Sequence, residues 1–500
     1  MNWTIYHANY YANLGNDSAM IQAAVDAAAA DGEEAIISKT NIRTGQPLWM
    51  IDQTILLPSN CSLVLVNAHL RMADDVCCRM FQNRNALTPF GKTRAGRQYD
   101  ISIRGVGRSV LDGGIYNGIS EKARGIPGIP AAENNITIYF HNVERVKVEN
   151  LTIRDWRYWS TCFNFCSYGT VRDMVFESNR NIPNQDGIDI HIGCSNFLIE
   201  NIRGRTGDDM IALTTTALDV MTQAQVEGMS PDIHDIIVRN LNVYSANGCA
   251  LIRILNHDGH KLYNVLIDGV MENSPWSDQD AVTAKNPDLA GYLNENNKFV
   301  LDKPQVLGEE GYRPDTAIRI GENFWFTRYP AEPGDTWGIT IRNVSTHAQH
   351  AVTIANTLHD SLIENIRMFG NGFRAVFFNN GDMRNITFRD LIWTGNCRPH
   401  PEDEEIDIEW NDTHSRGFSA IHFSGTTARD IHFENVVTGH GLQTVFGGCG
   451  DVKLTAEKVC SMDEHTVLRA DSGPANRDSR YHITMRRGKD GTYEEPIQEV

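Results

Sequence analysis

The chain has 500 residues, 41% hydrophobic and 22% charged, which excludes a disordered polymer and leaves room for a large core. Forty-five basic against 63 acidic side chains give a net charge of −18, which argues against a nucleic-acid surface; an acidic ligand would need a local basic pocket. Length alone suggests several domains, but repeat architectures escape that limit because each rung contacts only its neighbours.

The N-terminus, Met1 to His7, lacks a basic segment followed by an apolar run, so no signal peptide is expected. No apolar stretch approaches the ~18 residues of a membrane span. The ten cysteines are scattered, and neither Cys77-Cys78 nor Cys162 with Cys166 has a zinc spacing. Free thiols in a reducing cytoplasm are the expectation. No cofactor or metal site is expected.

Residues 17–31 predict a helix, rich in Ala, with Asp17 as its cap and Gly32 at its end. Before a run of strands, such a helix can close the end of an elongated stack. From about residue 60 a pattern recurs: apolar, any, apolar, any, then Asn or Asp, then apolar. Val146 to Leu151, Ile339 to Val344 and Ile431 to Val436 are examples. The Asn/Asp position falls at 150, 173, 201, 240, 264, 343, 365, 390 and 435. Strand-length runs at a period of roughly 20–30 residues indicate a parallel solenoid. Asn at a fixed turn tolerates a left-handed backbone. A β-sandwich would instead show turns every ~8–12 residues and no Asn ladder.

Two stretches break the rhythm, about 214–234 and about 272–316. Such excursions are expected to be surface loops, here able to wall one end of a cleft. The last stretch, about 466–500, reads as an end cap or tail. The organisation expected is one all-β domain over 1–500: a cap region to about 60, coils to about 465, and that tail.

The candidate site lies in Asn184-Gln185-Asp186-Gly187 and Gly207-Asp208-Asp209. Positions 22 and 23 residues apart stack if one coil has that length. Asp186 then meets Asp208 and Asp209, and paired carboxylates are the equipment for breaking a glycosidic bond. Three acids packed together repel, so one is expected to hold a proton near neutrality. In the strand that follows, Ile188, Ile190 and Ile192 would point inward, with Asp189 and His191 outward toward the cleft. Arg253 would share that face. His191 is read as either a substrate or proton-handling group or a hydrogen-bonded rim residue. Trp156, Trp159, Trp276, Phe324 and Trp325 are read as sugar-stacking or core residues.

These motifs, with Val146 to Trp159, Ile21 to Ala24 and Asp112-Gly113-Gly114, resemble glycoside hydrolase family 28, the polygalacturonase-like enzymes of the pectin-lyase-like superfamily. The resemblance covers roughly residues 15–255 well and the remainder only as repeats. It implies a single-stranded right-handed parallel β-helix that hydrolyses pectic polymers with inversion. It also implies that Asp208 is the general acid, that Asp186 and Asp209 hold and activate water, and that Asn184 contacts substrate. Three departures stand out. Gln185 replaces the usual Thr. The rung at Ala246-Asn247-Gly248 lacks the family's Gly-His-Gly, a string found only at Gly439-His440-Gly441, far too late in the chain. The Arg-x-Lys that grips a uronate carboxylate is half matched by Arg253, with Arg319 as a second candidate.

The function expected is an inverting glycosidase acting on short pectic or related oligosaccharides by exo cleavage. The alternatives are a β-helix lyase using calcium and an Arg or Lys base, and a non-catalytic carbohydrate-binding or tailspike-like β-helix. The expected partner is an oligosaccharide, with neither nucleic acid nor membrane.

Overall fold

The computed structural model describes residues 6–74, 76–119, 127–178, 184–217, 219–245, 249–273, 291–293, 299–301, 316–322, 329–369, 374–394, 419–439, 444–462, 467–471 and 482–486. Strand makes up 59% and helix 9%, and the strands stack in parallel as a right-handed β-helix, the expected fold class. The chain folds as two units. One is Met1–Ile237 with Asn242–Asn247 and Ala284–Tyr312; the other is Val238–Leu241 with Gly248–Thr283 and Arg313–Val500.

In the first unit the helix spans Asp17–Asp31 and buries Met20, Ile21, Ala24, Val25 and Ala28. Its cap is Asn16, not Asp17. The Asn16 backbone is extended, and its side chain accepts the Ala19 N–H at 2.9 Å. The Asp17 carboxylate is taken instead by the Asn41 amide, the Arg43 guanidinium and the Met50 N–H at 2.7–2.9 Å. Gly32 ends the helix at φ 71°, as expected.

Three strand ladders then climb this unit. One runs through Glu34–Ser38, Cys61–Val66, Gln98–Val106, Val143–Glu149, Ser167–Glu177 and Ser195–Thr206. A second includes Trp49–Ile51, His69–Met72, Val110–Asp112 and Thr152–Arg154. The third runs through Ile55–Leu57, Phe81–Asn83, Ile138–His141, Thr161–Asn164, Ile188–His191 and Ile211–Thr215. The coils thus begin at Glu34, earlier than the sequence pattern shows them, because the first rung, Glu34–Ser38, lacks the Asn mark. Alternate residues of the third ladder fill the interior, where Phe140 stacks on Phe163 at 5.7 Å.

The second unit repeats the design with longer strands, His350–Met368, Arg374–Trp393, Ser419–Thr438 and Thr444–Ser461, each paired in parallel with the next. Val467–Asp471 and His482–Arg486 add two more parallel strands within the stretch expected to be a cap or tail. Of the 272–316 excursion, most lies outside the described residues, as do Trp276, Phe324, Trp325, His440 and the Ala246-Asn247-Gly248 rung. The described part includes an antiparallel pair, Gly291–Leu293 with Phe299–Leu301.

All nine Asn/Asp positions of the sequence pattern have φ between 52° and 60°. Their side chains join coil to coil: Asn201 donates to Asp173, Asn365 to Asn343, and Asn435 to Asp390, at 2.6–3.0 Å. Short polar side chains that bond locally are the ones that tolerate this left-handed region. No described helix is long and apolar enough to cross a membrane. Cys61, Cys77, Cys78, Cys162, Cys166, Cys194, Cys249 and Cys460 are unbonded thiols.

Candidate active site

Register sets the acidic residues on adjacent rungs. Ile188 pairs with Ile211 and Asp189 with Ala212, a coil of 23 residues. The Gly187 N–H donates to the Asp209 carbonyl at 2.9 Å, and the Ile188 N–H to Met210 at 2.9 Å, which extends the ladder past the strand ends. Asp209 therefore stands one rung above Asp186, at the roughly 4.8 Å spacing of paired strands. Asp208 sits opposite Gln185, whose carbonyl accepts its N–H at 3.3 Å. A carboxylate oxygen of Asp208 lies within 4.8 Å of one of Asp209.

Main-chain donors aim Asp208. Its Oδ1 accepts the Asp209 N–H at 2.9 Å and its Oδ2 the Asn184 N–H at 2.8 Å. Asn184 adopts φ 60°, so its own backbone turn delivers that donor. Asp186 and Asp209 are 2% and 3% exposed, while Asp208 is half-buried.

Gln185, the departure from Thr, is a strut. Ser178 donates to its Oε1 at 2.5 Å, and its Nε2 donates to the Trp156 carbonyl at 2.6 Å. Trp156 Nε1 in turn donates to the Asp186 carbonyl at 2.8 Å. The long amide spans to the preceding coil and pins the turn that carries Asp186. Trp156 is therefore a buried support rather than a sugar platform. Gly187 is required by close approach, since a Cβ there would lie 2.5 Å from the Met210 carbonyl oxygen.

Asp189 and His191 point away from the β-helix interior, as expected, but they are covered, at 0% and 2% exposure. His191 Nε2 is 3.3 Å from Asp189 Oδ1, its Nδ1 is 3.4 Å from Cys162 Sγ, and its ring meets Trp159 edge-on at 4.7 Å. The cover comes from segments with no repeat pattern. Met221, Ala224 and Val226 pack on Phe165 and Ile192. Ala132 and Ile136 pack on Tyr139, Tyr158 and Trp159. The 214–234 excursion thus folds back over the coil that carries Asp186 and the coil before it.

Beneath this cover lies a cavity of about 260 Å³, lined by Arg79, Glu133, Tyr139, Trp159, Asn164 and His191 among others. Thr161 pairs with Ile188, and the Ser160 N–H donates to the Asp186 carbonyl at 3.0 Å, so Trp159 stands one rung below Asp186. The cavity lining includes Trp159 but none of the three carboxylates. Sequence reasoning missed Arg79 and Glu133 because both lie in irregular segments without a motif.

Arg253 and Arg319 belong to the second unit, where they pair in register with one another, and Arg319 Nη1 reaches Glu322 at 3.0 Å.

Residues 52–230 match the model of glycosyl hydrolases family 28. The resemblance read from the motifs is to the same family, and the match takes in all three carboxylates, the Gln185 strut and the cover segment. No curated protein matches the chain. Among solved structures, the tailspike protein of E. coli bacteriophage HK620, in complex with a pentasaccharide, is 11% identical with a TM-score of 0.52, covering 94% of this chain and 77% of its own. The surface adhesin PfbA of Streptococcus pneumoniae is 12% identical with a TM-score of 0.50, covering 95% and 96%. A hyperthermoactive exopolygalacturonase from Thermotoga maritima is 14% identical with a TM-score of 0.43, covering 97% and 91%.

Within the segment that matches the family model, His141 ties the cover down. Its Nδ1 accepts the Leu87 N–H at 3.3 Å and its Nε2 is 2.7 Å from the Ala224 carbonyl. Burial lowers its pKa to about 4, so the folded state holds it neutral. Below pH 6.5 the unfolded chain binds a proton that the folded chain refuses. Stability is therefore expected to fall between pH 6.5 and about 4, by about 3 kcal/mol from this group at the limit. Melting curves from pH 7 to pH 4.5 check the slope, and His141→Gln should flatten it. An equally steep slope in that variant would assign the effect elsewhere.

Proposed function

We propose that the protein is a glycoside hydrolase that cleaves pectic or related oligosaccharides with inversion, acting from the chain end. The observation that carries this reading is the 23-residue register that stacks Asp186 against Asp209, with Asp208 held beside them by two main-chain donors. In this reading Asp208 gives its proton to the leaving glycosidic oxygen. Asp186 and Asp209 hold a water on the other face, whose oxygen attacks the anomeric carbon as the C–O bond breaks. The released water proton passes to that pair. The role of each acid rests on the family resemblance, and Asn184 orients the acid through its backbone.

Exo action is supported by the cover, since segments around 132–136 and 221–226 wall the face of the coils below the carboxylates. A long oligomer could not run straight through it. The test is a screen of pectic and neutral oligosaccharides, with NMR of the first product and product sizing over time. Inverted anomers and release of terminal units without a ladder of intermediates are expected. Retention, or no cleavage at all, would overturn the inverting hydrolase, and a ladder would overturn exo action.

A further inference from the structure

We propose that Cys166 and Cys194 form a disulfide bond that staples two adjacent coils when the chain folds in the presence of a disulfide oxidant. The bond is independent of the proposed hydrolysis.

Register places the pair. Ser167 pairs with Ser195, and the Ser195 N–H donates to the Cys166 carbonyl at 3.1 Å, so Cys166 and Cys194 face each other on neighbouring rungs. Rungs stand roughly 4.8 Å apart, inside the Cα separation of about 4.4–6.8 Å that a disulfide spans. The Cys194 side chain leans across that gap: its Sγ accepts the Cys166 N–H at 3.4 Å, and the two thiols are hydrogen-bonded to each other. The turn that carries Cys194 is held on both sides. The Gly193 N–H donates to the Pro231 carbonyl at 2.8 Å, and the Cys194 carbonyl accepts the His234 N–H at 3.3 Å. Other described cysteines stack on different side chains, Cys61 on Ile101, Cys162 on Asp189 and Cys460 on Val437. Cys162 is engaged by His191 Nδ1 at 3.4 Å and by the Asn164 amide at 3.3 Å.

The oxidant is a small disulfide, for which oxidised glutathione serves. One protein thiolate attacks a glutathione sulfur, the S–S bond breaks, and one glutathione leaves as its thiolate. The second protein thiolate attacks the mixed disulfide at the protein sulfur and releases the other glutathione. The two cysteines give up two electrons and two protons, and one oxidised glutathione becomes two reduced ones. Both cysteines are fully buried in the folded chain. Burial makes a thiol inert, so the exchange belongs to folding, before the coils close over the pair. The cysteines lie 28 positions apart, and the ring they close contains Asn184 to Gly187, Asp189 and His191. A crosslink over that length removes freedom from the unfolded chain and so raises stability.

The test is to synthesise the full chain in two cell-free extracts, one with reduced and one with oxidised glutathione. Each product is unfolded, its thiols are alkylated, and its peptides are weighed. The oxidised product is expected to hold the Cys166 and Cys194 peptides joined, two hydrogens lighter than their sum, and the reduced product to hold both alkylated. The oxidised product should melt about 3–6 °C higher. In Cys194→Ala that difference between preparations should vanish; Cys166→Ala serves if that variant does not fold. Alkylated Cys166 and Cys194 in both preparations, or either one joined to a different cysteine, would overturn the bond. A joined pair with equal melting points would overturn its role as a staple.

Discussion

Asp208→Asn should lose about 10²- to 10⁴-fold in kcat, the range a positioned proton donor contributes, with the coils intact. The side chain keeps its shape but can no longer deliver a proton. One of its two main-chain bonds, to Asp209 N–H or Asn184 N–H, would survive at an amide oxygen, while the other would face an NH₂ group. That mismatch costs roughly 1–3 kcal/mol, a modest shift in melting temperature for a chain this long. Steady-state kinetics on the preferred oligosaccharide, with circular dichroism melts alongside, separate the two effects. A variant that folds and turns over within threefold of wild type would show that Asp208 moves no proton.

Phe378→Ala is expected to be the most damaging single change in the second unit. Phe378 is fully buried, stacks on Phe423 at 4.5 Å and 9°, and meets Phe388 edge-on at 5.5 Å. Phe388 continues the column onto Phe433 at 4.7 Å. Register makes these contacts, since Phe378 pairs with Phe423 and Phe388 with Phe433. Truncation removes a ring from the middle of a column whose backbone is locked on both sides, so the site cannot collapse. About 3–5 kcal/mol should be lost, read as a lower urea midpoint. Phe378→Leu should cost much less, and a midpoint unchanged in Phe378→Ala would mean the aromatic column does not hold the coils.

Much of the repeat was legible because it is local. A left-handed turn selects Asn or Asp whatever surrounds it, so the nine marked positions could be read one by one, and all nine adopt that conformation. The coil length followed from the same marks and placed Asp186 one rung from Asp209. The first rung, Glu34–Ser38, carries no such residue and was not visible. Asp17 looked like a cap because capping is a composition rule, whereas its carboxylate serves partners 24 and more residues away. Gln185 stands out in the sequence only as a departure from Thr, whereas in the fold its amide bridges Ser178 and Trp156.

The sequence by itself determined the coil period, the side of the strand on which Asp189 and His191 lie, and the register that sets Asp186 on the rung next to Asp209. Each of these depends only on alternation and on residues about 23 positions apart. Tertiary structure alone decided that the outward face is roofed. That roof depends on contacts such as His141 with Ala224, 83 residues apart, between segments that share no periodicity. The same non-local packing brings Arg79 and Trp159 to one cavity, because a loop's destination is set by the surface it covers and not by its own residues.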